Sequence, residues 1–198
     1  MTRCLPSLLL TLLLGGAASA SADALLNPSN GHYYEAVWVA GGISWSDAAA
    51  AAEAAGGHLA TPLNAEENAF VFALVDNASF FTPVSVNNDI VGPWLGIYSD
   101  AAAPQSFRYV TGAALGSYAP WGPSQPDTWG GGAQGVTFYA GLARGATWGD
   151  MTQTGSPGFS LPLGYVIEYS SAPVPEPGSA LLLLAGGLAL AGLRRRRG

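Results

Sequence analysis

Two short polar stretches carry the residue types with most chemistry. The first is Trp121-Gly122-Pro123-Ser124-Gln125-Pro126-Asp127-Thr128-Trp129, and the second is Thr147-Trp148-Gly149-Asp150. No other Asp or Glu lies between Asp127 and Asp150. Gln125 offers an amide oxygen, Asp127 and Asp150 offer carboxylates, and Pro126 stiffens the gap between the first two donors. Hard cations such as calcium take oxygens of this kind, and Trp129 adds the aromatic face a sugar needs beside a polar rim. The same residues also suit a loop whose polar groups hold its own turns, since Asp stabilises turns well.

Other polar groups point to less. His58 lies between a helix stop and a strand, with no cysteine or serine placed to partner it, which suits a core or turn histidine. Glu66 and Glu67 sit where carboxylates favour a helix N-terminus rather than as an acid/base pair. Asn87-Asn88-Asp89 suits a turn. Gly130-Gly131-Gly132 lacks the strand-to-helix setting of a phosphate loop. No nucleophile–base pair emerges, so the residues favour a binding module over an enzyme.

The elements that must position these residues are short. His32 to Ala40 is aromatic and β-branched, a strand pattern. Ser44 caps a helix that runs to Ala55 with Asp47 as its capping-box partner, and Gly56-Gly57 stop it. His58 to Ala60 is a short strand. Asn64 caps a second helix with Glu67 as partner and Phe70, Val71, Leu74 and Val75 as its apolar face. Phe80 to Pro93 lacks periodicity and reads as loop. Strands follow at Trp94–Ile97, Phe107–Val110, Val136–Ala140, Ala146–Trp148 and Tyr165–Tyr169. The segment from Ala113 to Gly135 is rich in Gly, Pro and Trp, and a loop of that length in a compact domain is usually functional. Trp94, Trp121 and Trp148 suit the core, and Trp45 suits an anchor at a helix start. The order gives an α+β domain with both helices early.

Both ends read as processing signals. Residues 1–22 have Arg3, the apolar run Leu8–Leu14 and small-x-small sites at Ala18-Ser19-Ala20 and Ala20-Ser21-Ala22, the layout of a secretory signal peptide. The only cysteine, Cys4, lies within it, so the mature chain has no disulfide. Residues 23–31 form a linker and 32–170 the folded domain. A Pro-rich stretch at 171–177 holds Val174, Pro175, Glu176 and Pro177. Residues 178–193 are apolar and uncharged, and 194–198 carry four arginines. An apolar stretch of 16 residues is somewhat short for a membrane span, which takes about 20. The arginines would remain cytoplasmic.

The formal charge of −6 includes the arginines of both ends. Between Gly31 and Ser170 the cations are Arg108 and Arg144 against 11 acids, a balance near −9. Such a domain repels nucleic acid and anionic membranes and accommodates cations and neutral ligands.

The tail resembles the bacterial PEP-CTERM sorting signal. That resemblance implies export through the inner membrane, transient anchoring by the C-terminal helix, and processing by an exosortase-type enzyme. Delivery to the cell surface or extracellular matrix follows. The stretch from His32 to Tyr169 resembles a C-type lectin-like domain. The resemblance rests on Ser44-Trp45, Gly56-Gly57-His58-Leu59-Ala60, Ala65-Glu66-Glu67-Asn68, Trp94-Leu95-Gly96, Gln125-Pro126-Asp127, Trp148-Gly149-Asp150 and Gly164-Tyr165-Val166-Ile167-Glu168, in that order. It implies paired first and last strands and a long loop at the opposite end, where calcium and a carbohydrate bind. It further implies Gln125, Asp127 and Asp150 as calcium ligands, a galactose-type preference, and Trp129 as the residue that stacks on the sugar. A carbohydrate or matrix polysaccharide would be the partner. The family's loop glutamate falls near Ala133 or Gln134 here, and its asparagine at Gly149. With two carboxylates left, the expected calcium dissociation constant is no better than about 10⁻⁴ to 10⁻³ M. A metal-free structural or protein-binding module on the same fold is the second reading.

Overall fold

The computed structural model describes residues 19–21, 23–83, 89–140, 143–155 and 160–173. The expected signal peptide, apart from 19–21, and the Val174–Pro177 motif, the apolar stretch and the arginines lie outside them. Ten strands and two α-helices follow in chain order. They are β1 (Ser19–Ser21), β2 (Leu25–Leu26), β3 (Tyr33–Val39), α1 (Trp45–Ala54), β4 (His58–Leu59) and α2 (Ala65–Val75). Then come β5 (Thr82–Pro83), β6 (Ile90–Ser99), β7 (Arg108–Tyr109), β8 (Gln134–Ala140), β9 (Trp148–Thr152) and β10 (Gly164–Tyr169). A 3₁₀ turn at Ala78–Phe80 follows α2.

The central order is β1-β3-β10-β6-β8-β9. β3 and β10 pair antiparallel from Tyr33↔Tyr169 to Trp38↔Gly164, so the two ends of the domain lie together as expected. β10 and β6 run parallel at Tyr165↔Trp94. β6–β8 and β8–β9 are antiparallel, and they carry the long loop at the far end of the sheet.

Alternation along the strands sends side chains into two cores. Tyr34, Val71, Val75, Leu95, Ile97, Val136, Phe138, Trp148 and Val166 form one, on the α2 side. Val37, Trp45, Ala48, Ala52, Leu59, Trp94, Met151 and Ile167 form the other, on the α1 side. The alanines of α1 present almost no bulk, so that helix lies close against the sheet. Its start is fixed by Ser44, whose side chain accepts the Asp47 N–H. Its end is a Schellman turn, with Gly56 N–H to the Glu53 carbonyl (2.9 Å) and Gly57 N–H to the Ala52 carbonyl (3.0 Å). Gly56 takes the left-handed φ of 83° this turn requires.

Asn64 caps α2 by accepting the Glu67 N–H, but the Glu67 carboxylate reaches one residue further back than a capping box, to the Leu63 N–H (2.9 Å). Its other oxygen accepts the Tyr34 hydroxyl (2.6 Å), which ties the helix start to β3. The expected loop over Phe80–Pro93 is corrected in part: β6 begins at Ile90. Gly92 and Pro93 hide this strand from propensity reasoning. They fall where the register with β8 shifts between Val91 and Trp94, the kind of irregularity that tolerates both residues. Gly92 also leaves room for the Phe81 ring, which a Cβ there would meet at 2.4 Å.

Trp94 and Trp148 are fully buried, and Trp45 nearly so. Their indole N–H groups donate to the Ile43 carbonyl, the Asn68 side chain and the Leu95 carbonyl respectively. Trp121 departs from the core expectation and is half-buried. Its ring stands edge-on to Trp148, 6.0 Å away, and roofs the core where the long loop leaves it.

Candidate functional site

The long loop is an extra strip laid along β9. The Trp148 N–H donates to the Pro120 carbonyl (2.9 Å), and the Gly122 N–H donates to the Trp148 carbonyl (2.8 Å). Beyond Gly122 the ladder continues through side chains. The Asp150 N–H donates to Gln125 Oε1 at 3.1 Å. Asp150 Oδ1 accepts the Asp127 N–H at 3.0 Å and Oδ2 accepts the Thr128 N–H at 3.1 Å. Asp127 Oδ1 then accepts the Trp129 N–H at 2.9 Å. Ser124 (φ 63°) and Thr128 (φ 52°) take left-handed backbone, and the Gln125–Pro126 bond is cis.

The structure therefore brings Gln125, Asp127 and Asp150 together, as the sequence suggests, and joins them through backbone N–H groups. Asp150 is buried and Asp127 exposed. Burial raises the Asp150 carboxyl above its ordinary value, and the Asp127 charge adds to this. The N–H donors of Asp127 and Thr128 pull the other way. Trp129 is the most exposed of the large apolar side chains described, at 59%.

A second clamp escapes sequence reasoning. β8 and β9 pair Gln134 with Thr152 and Val136 with Asp150, so Gln134 and Asp150 are diagonal neighbours on one face. Gln134 is fully buried. Its Nε2 donates to the Gly131 carbonyl (2.8 Å) and the Gly132 carbonyl (3.1 Å). Asp150 thus holds the donors of one end of the loop, and Gln134 holds the acceptors of the other. Gln134 Oε1 is buried with no partner among the described residues. A lone amide at the start of a strand gives no sequence signal for this role.

Gly149, where the resembling family has asparagine, also has a physical cause. A Cβ there would meet Tyr139 Cγ at 2.5 Å and Cβ at 2.7 Å. The Tyr139 ring covers the space that an asparagine side chain needs.

Calcium takes 6–8 oxygens. The donors present are two carboxylates and two amides. Gln125 Oε1, both Asp150 oxygens and Asp127 Oδ1 already accept backbone N–H groups. Among the described residues no group of three or more His, Cys, Asp or Glu converges as metal ligands. The arrangement holds the loop shape well and fits a tight calcium site poorly.

Comparison with known proteins agrees with this architecture. Residues 173–197 match the PEP-CTERM protein-sorting motif. No curated protein matches the chain by sequence. Among solved structures, the mouse scavenger receptor C-type lectin carbohydrate-recognition domain is 18% identical. The match covers 73% of this chain and 92% of that one, with a TM-score of 0.50. A calcium-independent type II antifreeze protein is 17% identical over 77% of this chain and 94% of that one, with a TM-score of 0.54. The fold is that of C-type lectin-like domains, and the chain carries a PEP-CTERM sorting motif at its C-terminus. Among the described residues no helix is long and apolar enough to cross a membrane, and the apolar stretch 178–193 lies outside them.

Proposed function

We propose that this chain is an exported, surface-sorted carbohydrate-binding module rather than an enzyme. The observation that carries the reading is Trp129: a 59% exposed side chain whose backbone N–H donates to Asp127 Oδ1, next in the loop to the Gln125–Asp150 clamp. An exposed aromatic face beside fixed polar groups is what a sugar ring recognises. The Gln125-Pro126-Asp127 order favours a galactose-type sugar. Calcium contributes weakly, through Gln125, Asp127 and Asp150. The sorting motif implies processing by an exosortase-type enzyme and transient anchoring by the tail before delivery to the cell surface or matrix. The ligand would be a glycan there.

A metal-free structural or protein-binding role is the second reading. It is favoured by the N–H groups already held by the site oxygens, and the calcium-independent antifreeze protein is built on a similar fold. The two readings separate in one experiment. The full chain, in a non-glycosidic detergent, is unfolded thermally in millimolar calcium and in EDTA, then screened against glycans. Binding to neutral glycans supports the lectin reading. No glycan binding, with no calcium shift of the midpoint, leaves the structural role.

A further inference from the structure

A pocket of about 440 Å³ lies beside the loop, between Gly130–Ala133 on one wall and Thr152–Gly155 on the other. It shares no residue with the Gln125, Asp127 and Asp150 cluster. Its shape comes from backbone. Gly130, Gly131, Gly132 and Gly155 all have left-handed φ, between 65° and 88°. A Cβ on Gly131 or Gly132 would meet nothing within 4 Å, so open space lies over both. The walls are joined at their base by the Gln153 N–H to the Ala133 carbonyl (3.1 Å) and Gln153 Nε2 to the Gln134 carbonyl (3.2 Å). Gln134 holds the glycine wall in place from beneath. Trp129 immediately precedes the first glycine of that wall.

The lining decides the ligand chemistry. Among the described residues it contains no Lys, Arg, His, Asp or Glu, so these offer neither a counter-ion to an anion nor a carboxylate to a metal. The described lining has no large apolar side chain, so it offers little to a hydrocarbon. What it presents is peptide groups, two threonines and one glutamine, in a volume within the usual range for small-ligand sites. The surrounding domain is acidic, which disfavours anionic ligands further. We infer that this pocket is a metal-independent subsite for a neutral sugar residue. The inference rests on the carbohydrate-binding reading and moves its centre from the carboxylates to the glycine wall.

Thr154→Leu and Ala133→Leu place bulk on opposite walls without touching the Asp150 clamp. The test is an array of neutral glycans and their sialylated counterparts, probed with the full chain in EDTA. Near-ultraviolet circular dichroism confirms that each variant is folded. Expected are neutral-glycan binding that persists in EDTA, at least tenfold weaker binding in both variants, and weaker binding to the sialylated forms. Binding that disappears in EDTA, or that both folded variants retain in full, overturns the pocket and leaves the lectin reading standing. No binding across the neutral glycans overturns both.

Discussion

The Asp150 carboxylate accepts the backbone N–H of Asp127 at 3.0 Å. The two acids that look like paired ligands in the sequence thus have different tasks. Asp150 is buried and holds the loop, while Asp127 is exposed and holds only the Trp129 N–H.

Truncating these two acids should therefore give unequal losses. Asp150→Ala removes both acceptors and strands two N–H groups, so a loss of about 2–4 kcal/mol is expected. Asp127→Ala loses one exposed bond, about 0.5–1 kcal/mol, and abolishes any calcium-dependent stabilisation. Urea denaturation with and without calcium measures both.

The raised Asp150 carboxyl has a definite sign in pH. The native state keeps the proton at a higher pH than the unfolded chain, whose value is about 3.9. Asp150 therefore adds stability as pH falls through its native value towards that figure. The stability of wild type relative to Asp150→Asn should grow as pH is lowered across that window. A flat difference would sink the assignment.

Trp129→Ala should leave stability within about 0.5 kcal/mol, because the exposed indole contributes little to the core. Glycan binding should fall about tenfold or more. Paired denaturation and binding curves separate the two effects, and glycan-induced change in tryptophan fluorescence should be lost with it.

Gly149→Asn should cost about 1–3 kcal/mol through overpacking against Tyr139. The penalty should be smaller when Asn is introduced in a Tyr139→Ala background. A double-mutant cycle reads this coupling directly, and additive losses would show that Tyr139 is not the obstacle.

Much of the frame was legible in order and spacing. Ser44, Asn64 and Gly56-Gly57 mark the helix ends because caps are local backbone chemistry, set by neighbours two or three residues away. Aromatic and β-branched composition likewise marked β3 and β10. The start of β6 was hidden, because Gly92 and Pro93 contradict strand propensity and only the register shift against β8 accommodates them.

The sequence by itself determined the two early helices, the long Gly/Pro/Trp loop, the acidic domain, the sorting motif at the C-terminus, and the polar residues of the two short stretches. These follow from composition, periodicity and capping, which act over a few residues. Only the tertiary structure decided what those side chains face. Val136↔Asp150 pairing brings a carboxylate 22 residues or more from its partners onto the N–H groups of Asp127 and Thr128. The same hairpin puts Gln134 under the glycines and Tyr139 against Gly149. The Asp150 contacts, distant in sequence, depend on strand register, and a one-residue slip would turn that side chain to the other face.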